Sequence, residues 1–188
     1  MSALLTGGFA DPAVQSAHAF RALLNAMARP GRIQNMSGAE PPAPLSVAAG
    51  VALLTLTDAT TPVHLAGAAD CADVRAWIAF HTGAPLVEAP AAQFALGSWD
   101  ALQPVDRFSR GEPSYPDRSA TLIVEMAKLE PTGPRLTGPG IQTEARLSLP
   151  DVAALRANHA LFPLGFDVIL TCGDRLAALP RTTKVEDI

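Results

Sequence analysis

Apolar residues recur at every third or fourth position near the start of the chain. Val14, Ala17, Phe20, Leu24 and Met27 fall on one side of a helix. Asp11-Pro12 opens that helix with an acidic cap and a proline whose missing N–H costs nothing there, and Pro30-Gly31 closes it. "SGAEPPAPLS" (Ser37–Ser46) carries three prolines and reads as a loop. The stretch from Ser46 to about Thr57 is apolar on every side, which predicts a buried helix. "TPVHLAG" suits a short strand. A third helix begins at Asp70 or Asp73, carries Val74, Trp77, Ile78 and His81, and ends at Gly83.

Residues 85–99 mix short strand signals with a proline break, and "GEPSYPD" (Gly111–Asp117) reads as a loop. "SATLIVEMAKL" (Ser119–Leu129) is the strongest strand signal, too apolar for an exposed edge. "RLTGPGIQTEARLSL" predicts two short strands around a Gly138-Pro139-Gly140 corner, and Pro150 starts a helix to about Ala160. "FDVILTC" and "RLAAL", joined by Gly173-Asp174, make a β-hairpin with a primed two-residue turn. "PRTTKVEDI" closes the chain as a polar tail from about residue 180. The interleaving of strands and helices assigns an α/β or mixed α+β class, with a single domain over residues 1–188 and one sheet covered by helices.

Composition narrows the function. The 188 residues carry a net charge of −4 and only two lysines, Lys128 and Lys184, so the clustered cations that release counterions from nucleic acid are missing. The sequence is 48% hydrophobic, a slight excess that hints at apolar surface reserved for other chains. Cys71 and Cys172 lack metal-site spacing and read as buried free thiols. "MSALLTGGFADP" has no charged leader region, and the oiliest run, Leu45–Leu56, is shorter than the roughly 18–20 residues that span a bilayer. A soluble cytoplasmic protein is expected.

Chemistry is sparse. His18, His64, His81 and His159 show no metal-ligand spacing, and His159 near a helix end suits the helix dipole. No nucleophile elbow, phosphate loop or dinucleotide fingerprint occurs. Two places remain for a ligand. The Gly138 and Gly140 corner provides backbone freedom for an anion nest, or only a rigid turn, since an extended segment follows it where a phosphate loop has a helix. Arg181 and Thr182, with Thr183, offer charge-assisted bonds to a phosphate or to a partner's carboxylate, or they belong to a solvated terminus.

At these residues the chain resembles the H subunits of the bacterial carbon–phosphorus lyase system, the phosphonate metabolism proteins PhnH. Seven motifs in order carry the resemblance: "FRALLNAMARPG", "ALLTLTD", "WIAFHTGA", "GEPSYPDRSATLIVE", "LTGPGI", "NHALFPLGFDVIL" and "LPRTT". It implies a reduced pyridoxal-phosphate-dependent transferase fold without the cofactor site, in a three-layer-like arrangement. It also implies a homodimer that joins the other core subunits of a phosphonate-degrading complex. That complex converts alkylphosphonate and ATP towards a ribose 1-phosphonate 5-triphosphate, and a separate radical subunit later breaks the C–P bond. The resemblance supplies no catalytic residues, no metal and no cofactor for this chain. Phe166 stands where a smaller aliphatic residue is expected of the family. Against this subunit reading stand a stand-alone enzyme for a phosphate ester or nucleotide, using Arg181 and the glycine nest, and a vestigial cofactor-binding module. The enzyme requires a deep pocket of convergent polar groups; the subunit requires a broad apolar patch.

Overall fold

The computed structural model describes residues 6–186. Helix α1 (Pro12–Ala28) begins where the Asp11 carboxylate accepts a hydrogen bond from the Val14 N–H, 3.3 Å away. A short strand β1 (Gln34–Asn35) precedes α2 (Val47–Leu56), which is capped by the Ser46 hydroxyl and buried from Ala48 to Leu53. Strand β2 (Val63–Leu65) and α3 (Ala72–His81) follow, with Val74, Trp77 and Ile78 facing inward as their spacing predicts. The next elements are β3 (Phe94–Ser98) and a single turn, α4 (Trp99–Leu102).

The strands β2, β3, β6 (Thr121–Glu125) and β9 (Asp167–Cys172) run parallel, and β10 (Arg175–Leu179) and β1 extend the sheet in antiparallel steps. The order is β1-β10-β9-β6-β3-β2. Alternation along each strand divides the side chains between two cores. Ile123, Ile169, Leu176 and Ala178 join α1, α2 and α3 on one face. Leu122, Val124, Val168, Leu170 and Ala177 face the opposite way, towards α4, α5 (Val152–His159) and the strand β7 (Arg135–Thr137). A sheet covered on both faces explains why β6 and β9 are apolar without alternation. The fold is mixed α/β with five α-helices among the described residues, and in place of the single sheet expected it has a six-stranded mixed sheet and two smaller sheets of three and two strands. Both thiols are free as expected but only half-buried, because Cys71 packs at the margin of the first core and Cys172 at the margin of the second. No helix among the described residues is long and apolar enough to cross a membrane.

Three segments depart from the sequence reading. The predicted apolar face of α1 points outward: α1 packs on α2 and β10 through Ala19, Leu23 and Ala26, while Val14, Ala17, Phe20 and Leu24 are exposed. Periodicity marks a stripe but does not say what covers it, and small alanines let a second stripe approach the neighbouring backbone. "GEPSYPD" is not a loop. It builds a hairpin of β4 (Arg110–Glu112) and β5 (Tyr115–Ser119), with an irregular register at Gly111, whose φ is +78°. The expected polar tail is also structured, because β11 (Lys184–Glu186) pairs with β7, which pairs in turn with β8 (Ala145–Arg146), and Val185 enters the second core.

The β9–β10 hairpin turns on Gly173 at φ +60°, the positive value a glycine-first primed turn needs. Phe166 is buried at 2% exposure, and the Asn158 side chain bonds both its backbone groups: Phe166 N–H donates to Asn158 Oδ1 at 2.9 Å and Asn158 Nδ2 donates to the Phe166 carbonyl at 2.8 Å. The larger residue is therefore accommodated in the core, held from α5.

Candidate functional site

The residues singled out for ligand binding are drawn into contacts within the protein. Arg181 is the most committed. Its guanidinium spans the Asp167 carboxylate with Nε at 3.1 Å and Nη2 at 2.6 Å, donates from Nη1 to the Pro116 carbonyl at 2.9 Å, and also donates to the Ser119 hydroxyl. Its backbone N–H reaches Asp167 Oδ1 at 2.8 Å. The Arg181 and Asp167 side chains are only 12% and 19% exposed. Four of the five guanidinium N–H groups are thus satisfied within the protein. The arginine ties three chain segments together: the β5 strand, the start of β9 and the turn after β10. The Arg181 carbonyl meets His159 Nδ1 at 2.9 Å, so the histidine at the end of α5 bonds this same turn.

The Gly138-Pro139-Gly140 corner is a tight turn closed by Ile141 N–H donating to the Gly138 carbonyl at 3.1 Å. Gly138 has φ +128° and Gly140 φ +80°. A Cβ on Gly138 would lie 3.2 Å from the Thr182 carbonyl oxygen, and a Cβ on Gly140 would collide with the Ala28 carbonyl at the end of α1. The corner is pressed between α1 and the residues 182–184 turn. The structure brings Gly138 beside Thr182, but it turns the Arg181 guanidinium towards Asp167 and sets Gly140 against α1. Arg181 and Thr182 line a shallow hollow of about 330 Å³ with Pro116, Asp117, Phe162, Pro163 and Asp167; neither glycine contributes to it.

Other clusters are also internally paired. Arg75 forms an ion pair with Asp70 beside His64 and Glu88 in a hollow of about 290 Å³. The hydrogen bond from Arg75 holds the Asp70 carboxyl below the usual carboxylate range. The Glu125 carboxylate accepts the Ser46 N–H at 2.7 Å and the Thr171 hydroxyl at 3.0 Å, fixing the start of α2 on β6 and β9. Among the described residues no group of three or more His, Cys, Asp or Glu is placed to hold a metal ion.

Apolar surface is also left uncovered. Val14, Phe20 and Leu24 are 50%, 52% and 57% exposed along α1. A second patch follows α5 on the opposite layer, where Leu161 and Phe162 are exposed. Full burial of such a side chain stabilises by about 1.5–3 kcal/mol, so each half-exposed residue leaves part of that unrealised in the single chain. The α1 stripe could be read as a helix face from its period, but its outward direction depends on α2 and β10, which are distant in sequence.

Comparison with known proteins adds three findings. The chain matches the family described as "Bacterial phosphonate metabolism protein (PhnH)" over residues 7–186. It is 43% identical to the Rhizobium meliloti protein named alpha-D-ribose 1-methylphosphonate 5-triphosphate synthase subunit PhnH, covering 98% of this chain and 97% of that one. It is 34% identical to a Stutzerimonas stutzeri protein named putative C-P lyase subunit protein HtxG, covering 89% of this chain and 84% of that one.

Proposed function

Because the chain belongs to the PhnH family of bacterial phosphonate metabolism proteins, we propose that it is a non-catalytic subunit of a carbon–phosphorus lyase core complex. In this reading it is required for the step that forms a ribose 1-phosphonate 5-triphosphate from an alkylphosphonate and ATP. The observation that carries the reading is the identity of 43% along 98% of the chain to a protein named as a subunit of that synthase. The surface agrees in kind: it carries an exposed apolar stripe on α1, and its Arg75–Asp70 and Arg181–Asp167 pairs are satisfied internally.

The partners are the other core subunits of the complex and a second copy of this chain, in the cytoplasm. The outer face of α1 is the seam for the second copy, with Val14, Phe20 and Leu24 exposed on a broad sector of the helix. Phe162, 57% exposed after α5, remains available to the complex. The fold reads as a reduced pyridoxal-phosphate-dependent transferase that holds no such cofactor. Support comes from the lysines: Lys128 is exposed and paired with Glu130, and Lys184 is exposed on β11, so neither has the desolvated site a Schiff-base lysine needs. Arg181, Thr182, Gly138 and Gly140 act in this reading as the brace of the sheet end, and any ligand there would touch Thr182 in the hollow.

Growth is the test. Cells carrying the rest of the system but lacking this gene should not grow on methylphosphonate as sole phosphorus source, and the intact gene should restore growth. Normal growth without the gene, under conditions where loss of the radical subunit abolishes it, would remove the requirement.

A further inference from the structure

Among the described residues, Arg110 is a half-buried cation with an unpartnered guanidinium nitrogen. Its Nε is buried and makes no hydrogen bond, and its side chain enters no hydrogen bond or ion pair among the described residues. An orphaned buried donor is costly, and it leaves the Arg110 guanidinium without the bonds that tie down Arg181. Arg107 shares a buried, unbonded Nε, but its Nη2 donates to the Ala101 carbonyl at 3.0 Å and its guanidinium lies over the Phe108 ring. Arg110 instead lines a pocket of about 380 Å³ between the Gln103–Asp106 segment and α5. Pockets of about 300–1,000 Å³ hold small organic ligands.

The remaining wall has two chemical halves. Val105, Ala154, Ala157, Leu161 and Phe166 give an apolar side, while Gln103, Asp106 and Asn158 stand with Arg110 as polar groups. The walls are anchored. The Arg110 carbonyl accepts the Gly165 N–H at 2.9 Å, and Asn158 pins both backbone groups of Phe166. Asp106 is within the same pocket but forms no ion pair with Arg110. A guanidinium presents paired N–H groups matched to the spacing of oxyanion oxygens. A ligand with an oxyanion head and an apolar body therefore fits both halves.

We infer that this pocket binds an organophosphonate, its head on the Arg110 guanidinium and its organic group against Leu161 and Phe166. The choice of a phosphonate head over a carboxylate rests on the phosphonate reading above; the existence of an Arg110 oxyanion pocket does not. Phenylphosphonate is a suitable probe, with inorganic phosphate as the head alone and benzoate as the carboxylate counterpart. Each is titrated into the full chain while the Arg110 side-chain Nε–H resonance is followed by NMR, and affinities are taken by calorimetry at low salt.

Phenylphosphonate should shift that resonance and bind more tightly than inorganic phosphate. Arg110→Gln should weaken phenylphosphonate by about tenfold or more, the loss expected for a charge-assisted contact. Leu161→Ala should weaken phenylphosphonate while leaving inorganic phosphate unchanged, and this variant serves if Arg110→Gln fails to fold. No shift of the Nε–H resonance at millimolar phenylphosphonate, or equal affinity in Arg110→Gln, would overturn the site. Binding of benzoate without phenylphosphonate would overturn the phosphonate assignment and leave the subunit reading untouched. Failure of the growth test with the pocket intact would do the reverse.

Discussion

Alanine at Gly140 is expected to destabilise the protein by about 3 kcal/mol or more, among the largest effects of a single substitution here. Two penalties add at this position. The φ of +80° is strained for any residue with a Cβ, and the new Cβ would collide with the backbone carbonyl of Ala28. A backbone carbonyl at the end of a packed helix has little room to retreat. Gly173 supplies the control, because its φ is also positive, at +60°, yet nothing lies within 4 Å of its Cβ position. Gly173→Ala should cost only about 1 kcal/mol from the backbone term. Urea unfolding of the three proteins separates the effects. Equal losses for the two variants would show that the corner is not pressed against α1.

Arg181→Met should cost about 3–5 kcal/mol, since removing one member of a buried ion pair strands the other. Asp167 would keep a largely buried carboxylate with its guanidinium partner gone, and the Pro116 carbonyl and Ser119 hydroxyl would lose their bonds as well. A second change, Asp167→Leu in the same chain, should recover a good part of the loss because no unpaired charge then remains. The measurement is equilibrium unfolding of both single variants and the double variant. If Arg181→Met unfolds like the natural protein but abolishes growth on methylphosphonate, the arginine serves a ligand and the brace is the wrong description.

Local signals made much of this architecture legible. Asp11-Pro12, Ser46 and Gly83 mark helix ends by capping and by positive φ, and Gly173-Asp174 marks a hairpin, all within a few residues of the structure they specify. What was hidden depends on partners far along the chain. Arg181 meets Asp167 and Ser119, 14 and 62 residues away, so its charge reads as free in the sequence and is bound in the fold. The β4 and β5 strands are largely uncovered and carry no inward-outward alternation to reveal them. β11 offers three residues, recognisable as a strand only once β7 lies beside it. The α1 stripe was visible but pointed the other way, and only the packing of Ala19, Leu23 and Ala26 decides which side is covered. Arg110 had no motif at all; its interest comes from a partner that is missing.

Assembly is the centre of this account, and native mass measures it most directly. The chain is purified alone and after co-expression with the other subunits of its phosphonate system, and each preparation is run by sedimentation across a dilution series. Alone, it should hold twice the chain mass at micromolar concentration; with its partners, it should move into a larger particle that loses phosphonate–nucleotide synthesis when this chain is left out. A chain that sediments as a monomer at every concentration, and still runs apart from a complete and active assembly, would contradict the account.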